Sequence, residues 1–220
     1  MYFKNIEFER NFRINSRVNQ GKDDLRDFKT WLEIYPDKNI SRLGKITLKK
    51  ITSFEYSHNI LNKSTYLAHV SRVTKYSLLL RPNLAKELIV LGLIHNIFEA
   101  TQYSYQDLLN YFDDQTLSKV IILKVDREKQ HKRDYLFKYY EEISKAHISV
   151  SIIKILDKID NIFTLCLNPS LKKRMIYLAQ IEDYVIPLTK KFLPEISDYL
   201  IKLVNNTHKI GYIPIEDFKC

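Results

Sequence analysis

The sequence predicts an all-α protein, and two observations support this class. Its 220 residues include only four glycines and six prolines, so residues that form turns are scarce. Apolar residues recur mostly three and four positions apart, which is the period of an amphipathic helix. The hydrophobic fraction of 45% and the charged fraction of 28% are ordinary for a chain that folds by itself. We therefore expect a helical domain with a substantial core.

The first part of the chain predicts two helices after an unassigned start. The first 20 residues are polar and aromatic without clear periodicity, so no firm structure is expected there. Asp23 and Asp24 are expected to cap a helix that Pro36 closes. A second, weaker helix is expected over about 40–54. The apolar face of the first helix consists of Leu25, Phe28, Trp31, Leu32 and Tyr35.

Two helices with inward-facing histidines follow. Ser64 is expected to cap the first, which places His69 toward the core. The second begins after Pro82, and Gly92 leaves room for a close approach one turn before His95. The two inward stripes are Tyr66, His69, Val73, Tyr76 and Leu80, and then Leu84, Leu88, Leu91, His95 and Phe98.

A strongly apolar helix is predicted over 148–166, with Asp157 and Asn161 one turn apart and away from its apolar face.

We predict an N-terminal helical extension, 1–55, and a main helical domain, 56–220. Further helices are predicted over 105–112, 116–125, 133–144, 171–186 and, after Pro187, 188–206.

The formal net charge of +9 favours anionic partners such as a nucleotide, nucleic acid or an acidic membrane surface. Only this charge supports a nucleic-acid partner, so such a partner is not expected. No stretch of 18 apolar residues lacks a charge, and the N-terminus has no apolar secretion segment, so membrane spanning and secretion are not expected. Cys166 and Cys220 stand far apart without a metal-binding spacing, which favours a reducing cytoplasm.

Three of the predicted helices each bring a candidate metal ligand inward. These residues are His69 on one helix, His95 with Asn96 on the next, and Asp157 on the apolar helix. Imidazole and carboxylate donors suit Mn²⁺, Fe²⁺ or Zn²⁺, and Mg²⁺ is a further candidate. For either histidine alone, a core histidine satisfied by the protein or a surface histidine is the alternative.

Three segments together resemble a known family. They are YLAHVSRV at 66–73, LGLIHNIFEAT at 91–101 and IIKILDKIDNI at 152–162. In this order and spacing they resemble the HD-domain phosphohydrolase superfamily, over roughly residues 60–204. Within it, the motifs are most similar to the hydrolase domain of bacterial alarmone enzymes, which remove pyrophosphate from guanosine tetraphosphate and pentaphosphate, (p)ppGpp. The resemblance implies an HD-domain helical bundle with one central divalent metal site between helices.

The resemblance implies His69, His95 and Asp157 as metal ligands, with Mn²⁺ as the preferred ion. Asn96 stands where the family has its name-giving aspartate, and a neutral amide there should lower metal affinity. Either the chain is a weakly active or non-catalytic member, or the asparagine is a deliberate Asp-to-Asn change. Ala100 is a second departure, from an acidic residue of the alarmone branch.

The remaining site residues are assigned by their chemistry together with the resemblance. Glu99 is expected to orient or deprotonate the attacking water, with a surface glutamate at a helix end as the alternative. Arg72 is the preferred phosphate partner. Lys154 and Lys158 are further phosphate candidates, with a solvated helix face as the alternative. Asn161 is expected to bond a nucleotide sugar or brace the metal ligands, unless the backbone satisfies it.

The leading hypothesis is a metal-dependent phosphohydrolase that acts on a small nucleotide or another phosphorylated substrate. (p)ppGpp pyrophosphohydrolysis is its most specific version, and a general nucleotidase is the fallback. The alternative is a catalytically inactive HD scaffold that binds a nucleotide or a protein partner, which Asn96 and Ala100 motivate. The basic segment 124–133 is interpreted as a lid over the site or as an ordinary solvated loop.

Overall fold

The structure is a computed structural model that describes Phe3 and residues 5–57 and 62–217. This part of the chain consists of helices and connections without a strand, so the predicted all-α class is confirmed. Cys166 is buried, and Cys220 lies outside the described residues. The α-helices are α1 (Ile6–Val18), α2 (Lys22–Ile34), α3 (Lys38–Ser53), α4 (Lys63–Leu80), α5 (Ala85–Ile94), α6 (Ile97–Ala100), α7 (Tyr105–Leu108), α8 (Asp114–Leu123), α9 (Arg133–Lys145), α10 (Ile148–Phe163), α11 (Leu171–Gln180), α12 (Ile186–Phe192) and α13 (Ser197–Ile210).

Helix α10 is the central helix of the bundle. It contacts α1, α4, α5, α8, α9, α12 and α13, and nearly all of its side chains are buried. Four of these buried side chains are charged, and such groups need partners because water no longer solvates them. The four are Lys154, Asp157, Lys158 and Asp160.

Helices α4 and α5 pack closely because of one glycine. A Cβ atom on Gly92 of α5 would lie 2.6 Å from the Thr74 side-chain oxygen and 3.1 Å from the Thr74 Cα atom on α4. The expected close approach at Gly92 is thereby confirmed. It brings the helix that carries His69 next to the one that precedes His95.

The N-terminal residues form a helix that the sequence analysis left unassigned. In α1 the buried face is charged, with Glu9, Arg10 and Arg13 all buried. Arg13 pairs with Glu9 and with Asp160 of α10, while Arg10 donates to Thr207 of α13 at 2.8 Å. Hydrophobic periodicity does not reveal a helix whose buried face is held by ion pairs and hydrogen bonds.

The start of α2 differs from the prediction. An Asp23-Asp24 cap was expected, but α2 begins after Gly21, which has a left-handed φ of 69°. Gly21 also packs so closely on α4 that a Cβ atom there would lie 2.6 Å from the Ala68 Cβ atom. Asp24 does not cap the helix. Its side chain points inward, where one carboxylate oxygen lies 3.0 Å from Arg72 Nη1.

Two further helix boundaries are corrections to the prediction. Asn62, not Ser64, caps α4, because its side-chain oxygen reaches a backbone N–H of the first turn at 2.8 Å. The single helix expected over 188–206 is two helices, because Pro194 begins a 3₁₀ turn between α12 and α13. Pro187 does not begin a separate helix, since the chain runs from α11 through a π-helical turn, Ile181–Val185, directly into α12.

The predicted helix through His95 and Phe98 is also interrupted. Helix α5 ends at Ile94, and the short helix α6 begins only after Asn96. The turn between them carries His95. Glu99 therefore lies on α6, and not on the helix that precedes His95.

One apolar cluster extends through the described helices. It includes Phe28 and Leu32 of α2 and Leu48 of α3 together with side chains of α4, α10 and α13. Side chains from both proposed units, 1–55 and 56–220, therefore share this core. Among the helices that the structure describes, none is long and apolar enough to cross a bilayer.

Candidate metal centre

Three buried side chains from different parts of the chain converge at one point. His69 Nε2 lies 3.2 Å from His95 Nε2 and 3.3 Å from the Asp157 carboxylate, and His95 Nε2 lies 3.8 Å from the same carboxylate. Their potential ligand atoms all lie within 4.8 Å of one another. Metal bonds to imidazole nitrogen and carboxylate oxygen are about 2.0–2.2 Å long, so one ion can bind all three.

The second ring nitrogen of each histidine is already engaged. His95 Nδ1 donates to the Gly92 carbonyl oxygen at 2.7 Å, and His69 Nδ1 lies 2.8 Å from an Asp160 oxygen. A neutral imidazole carries one N–H, so donation from Nδ1 leaves Nε2 with a lone pair for a metal. The donor set and its tautomers therefore fit a divalent ion.

Asp157 is held in its ionised form. Burial alone would raise its pKa, but Lys154 and the hydrogen bonds from His69 and His95 outweigh burial and hold the pKa well below its usual value. Asn161 donates to one carboxylate oxygen at 2.8 Å, and Lys154 Nζ lies 3.4 Å from the other. Asn161 thus contacts a candidate ligand directly, and the role expected for it stays a prediction.

His69 holds a proton firmly when no metal competes for it. Burial alone would lower its pKa, but hydrogen bonds to Asp157 and Asp160 outweigh burial and raise the pKa from 6.5 to about 9. A metal that binds Nε2 must displace a proton from this ring.

Asp160 is a site residue that the sequence analysis missed. Its carboxylate accepts hydrogen bonds from His69, from Arg72 and from Arg13 of α1. Burial alone would raise its pKa, but Arg72 and Arg13 outweigh burial and hold the pKa well below its usual value. Its position three residues after Asp157 on a predicted helix was the one clue in the sequence, since it places the two side chains near each other.

Arg72 has protein partners on all three guanidinium nitrogens. Its Nε and Nη2 donate to Asp160 at 2.9 Å each, and its Nη1 donates to Asp24 at 3.0 Å and to Ser16 at 3.2 Å. The expected role of Arg72 as phosphate partner stays a prediction, and a phosphate would have to compete with these contacts.

A cavity of about 340 Å³ opens beside the three candidate ligands. Its volume lies at the lower end of the range for small-molecule sites, about 300–1,000 Å³. The lining contains twice as many basic as acidic residues, which suits an anionic ligand. The basic residues are Arg13, Arg17, Arg72, Arg127, Lys154 and Lys158, and the acidic residues are Glu99, Asp157 and Asp160.

Glu99 and Asn96 both line this cavity. The Glu99 carboxylate accepts from Arg127 Nη2 at 3.0 Å and from Arg127 Nε at 3.3 Å. Arg127 belongs to the basic segment 124–133, so part of that segment reaches the cavity. Asn96 is half-buried, and its side chain forms no hydrogen bond with any residue the structure describes.

Lys154 and Lys158 are both buried, so the alternative that they lie on a solvated helix face is wrong. Lys154 Nζ lies 3.2 Å from the Leu123 carbonyl oxygen in addition to its contact with Asp157. Lys158 Nζ lies over the Tyr177 ring, 4.7 Å from its centroid. Burial and the charge of Lys154 lower the pKa of Lys158 to about 8. Both lysines remain candidates for binding an anion in the cavity.

Tyr66 contributes a polar group to the site, although the sequence analysis assigned this residue only to an inward stripe of its helix. Tyr66 lines the cavity, and its hydroxyl is buried and has no hydrogen-bond partner among the described residues. Burial raises its pKa well above 10, so the hydroxyl is neutral and can donate. A buried hydroxyl without a partner is unfavourable, and a bound polar ligand would satisfy it.

No protein-family model and no curated protein sequence matches this chain. Among solved structures, the chain is similar to one described as "A metazoan ortholog of SpoT hydrolyzes ppGpp and plays a role in starvation responses". The TM-score is 0.57 at 18% sequence identity, over 78% of this chain and 97% of that animal protein. A likeness at this identity shows the fold. The predicted all-α helical bundle is therefore confirmed, and this chain shares its fold with that protein.

Proposed function

We propose that this protein is a divalent-metal-dependent phosphohydrolase of the HD type that acts on a nucleotide in the cytoplasm. The observation that carries this proposal is the convergence of His69, His95 and Asp157 beside a basic cavity. We propose Mn²⁺ as the preferred ion; the imidazole and carboxylate donors suit it, as they suit Fe²⁺ and Zn²⁺.

A divalent ion bound by these three side chains would polarise a phosphoryl oxygen and activate water for attack on phosphorus. Glu99 lines the same cavity and accepts the proton of the attacking water. Lys154 and Lys158 offset the negative charge that develops on the phosphoryl oxygens. The Tyr66 hydroxyl donates a hydrogen bond to a polar group of the substrate.

Guanosine tetraphosphate is the first substrate to test. The motifs resemble the alarmone branch, and the similar solved structure is described as hydrolysing ppGpp. The excess of basic side chains in the cavity is consistent with a substrate that carries several phosphates. Other guanosine and deoxynucleotide phosphates form the comparison panel, because a general nucleotidase would accept them.

A catalytically inactive nucleotide-binding protein is the second candidate. Asn96 favours it, because a neutral amide stands where the family motif has a carboxylate. Ala100 also favours it, because this buried residue carries no acid at the second motif position. Tight nucleotide binding without turnover, in the presence of Mn²⁺, would support this candidate over the enzyme.

The test combines metal binding with turnover. Calorimetry should show about one Mn²⁺ bound, and the His95→Ala variant should lose this binding. Turnover of a panel member should require Mn²⁺ and fall by about 10²–10⁴-fold in Glu99→Gln, with Mn²⁺ binding retained. Absence of Mn²⁺ binding in the unaltered protein, or binding that His95→Ala leaves intact, would contradict the proposed metal centre.

A further inference from the structure

The structure assigns Asp160 and Arg13 as positioning residues of the candidate metal centre. Asp160 holds the His69 ring with Nε2 toward the other two ligands, and Arg13 of the N-terminal helix α1 holds Asp160. This inference rests on the proposed metal site. It makes α1 a part of that site, although the first 20 residues carry no metal-binding motif.

The Asp160 carboxylate is saturated with donors. One oxygen accepts from Arg13 Nε at 2.7 Å and from Arg72 Nε at 2.9 Å. The other accepts from Arg72 Nη2 at 2.9 Å and from His69 Nδ1 at 2.8 Å. A carboxylate that accepts four hydrogen bonds from three side chains cannot rotate without breaking at least one of them. The orientation of the His69 ring is therefore determined by the two arginines.

Arg13 is itself rigidly held. Its side chain is 1% exposed, and its Nη1 donates to the Glu9 carboxylate at 2.5 Å and to the Glu9 carbonyl oxygen at 3.0 Å. Its guanidinium also lies over the Phe163 ring of α10, 4.2 Å from the centroid. A buried arginine that loses its carboxylate is strongly unfavourable, so Arg13 and Asp160 stay together in the folded state.

Such contacts influence a metal site from outside the ligand set. A carboxylate that accepts the second N–H of a ligating histidine fixes its tautomer and ring orientation and increases its basicity. Loss of such a partner typically weakens metal binding about 10–100-fold. Asp160 is placed to do this for His69, whereas the backbone carbonyl of Gly92 does it for His95.

Helix α1 offers a matched control for the test. Arg10 and Arg13 lie on the same helix, and both are buried. Arg10 donates to Asn206 and Thr207 of α13 and does not contact Asp160. Arg10→Met and Arg13→Met therefore remove the same group from the same helix, but only Arg13→Met touches the contact that leads to His69.

The experiment measures Mn²⁺ affinity by calorimetry and the visible spectrum of the Co²⁺-loaded protein. We expect Asp160→Asn to weaken Mn²⁺ binding at least about tenfold. We expect Arg13→Met to weaken it at least about threefold, less than Asp160→Asn because Arg72 still holds the carboxylate. Both variants should alter the Co²⁺ bands, which report ligand geometry. Arg10→Met should keep the affinity within about twofold and leave the Co²⁺ bands unchanged, even if it lowers Tm.

Two outcomes would overturn the inference. If Mn²⁺ binds the unaltered protein and Arg13→Met equally well, with the same Co²⁺ bands, α1 has no role at the metal and the inference is overturned. Equal losses in Arg13→Met and Arg10→Met would also overturn it, since they would reflect general loosening of α1. If Asp160→Asn does not fold, the comparison of the two arginine variants still decides. Failure of the proposed function is recognised separately, because the unaltered protein would then bind no Mn²⁺ that depends on His95.

Discussion

Asn96 places a neutral amide next to His95 in the wall of the cavity. We expect Asn96→Asp to increase Mn²⁺ affinity by about tenfold or more, because an anionic oxygen would replace a neutral one in the wall of the cavity that His69 and Asp157 also line. Calorimetric titration of both proteins with Mn²⁺ measures the change.

The same substitution at Asn161 is the control. Asn161 donates to Asp157, so Asn161→Asp removes a hydrogen bond and places two carboxylates side by side. We expect no gain in affinity there. An equal gain in both variants would mean that general negative charge, and not the position beside His95, governs metal binding.

The pairing of helices α4 and α5 depends on Gly92. We expect Gly92→Ala to lower the free energy of unfolding by about 1–3 kcal/mol, because the added methyl would overlap the Thr74 backbone and side chain and force the helices apart. Chemical denaturation of both proteins measures this loss.

Gly44 of α3 is the matched control, since it also lies inside a helix. Its added Cβ atom would lie 2.9 Å from the side-chain ends of Ile89 and Leu32, which can shift, and not against backbone. Both variants gain helix propensity equally. We expect Gly44→Ala to cost less than Gly92→Ala. The opposite order would show that the α4–α5 approach is not the tight contact inferred from the structure.

The shared core predicts that the molecule unfolds in one cooperative transition. Trp31, the one tryptophan of the chain, lies on α2 within the first 55 residues and is partly buried against the core. Its fluorescence therefore reports on that segment, whereas far-UV circular dichroism reports on all helices. We expect the two denaturation curves to coincide.

A fluorescence transition at lower denaturant than the loss of helix would contradict a single cooperative unit. It would instead support the prediction that 1–55 is a separable extension of 56–220. Calorimetric and van't Hoff enthalpies that agree would give an independent test of the single transition.

The helical class and the inward positions of His69 and His95 followed from local patterns in the sequence. The resemblance to a known family added the assignment of these two residues and Asp157 as candidate ligands. His69 and His95 belong to apolar stripes of helical period, and Asp157 lies in a segment whose apolar residues clearly predict a helix. These patterns involve residues that are close in sequence, so they can be recognised without knowledge of the rest of the chain. Caps and helix ends were less accurate, because Asn62 and Ser64 are equally good caps by type and only packing selects one.

The contacts that orient the ligands could not be found in this way. Arg13 and Asp160 are 147 positions apart, and Arg72 and Asp24 are 48 apart. No periodic pattern connects such pairs, and a charged residue in isolation is expected at the surface. They become partners because the packed bundle excludes water from that region, so each buried charge needs a counter-charge within reach. The sequence alone thus indicates which residues can bind a metal, whereas the packing of α1, α4 and α10 establishes which buried charges hold those residues in place.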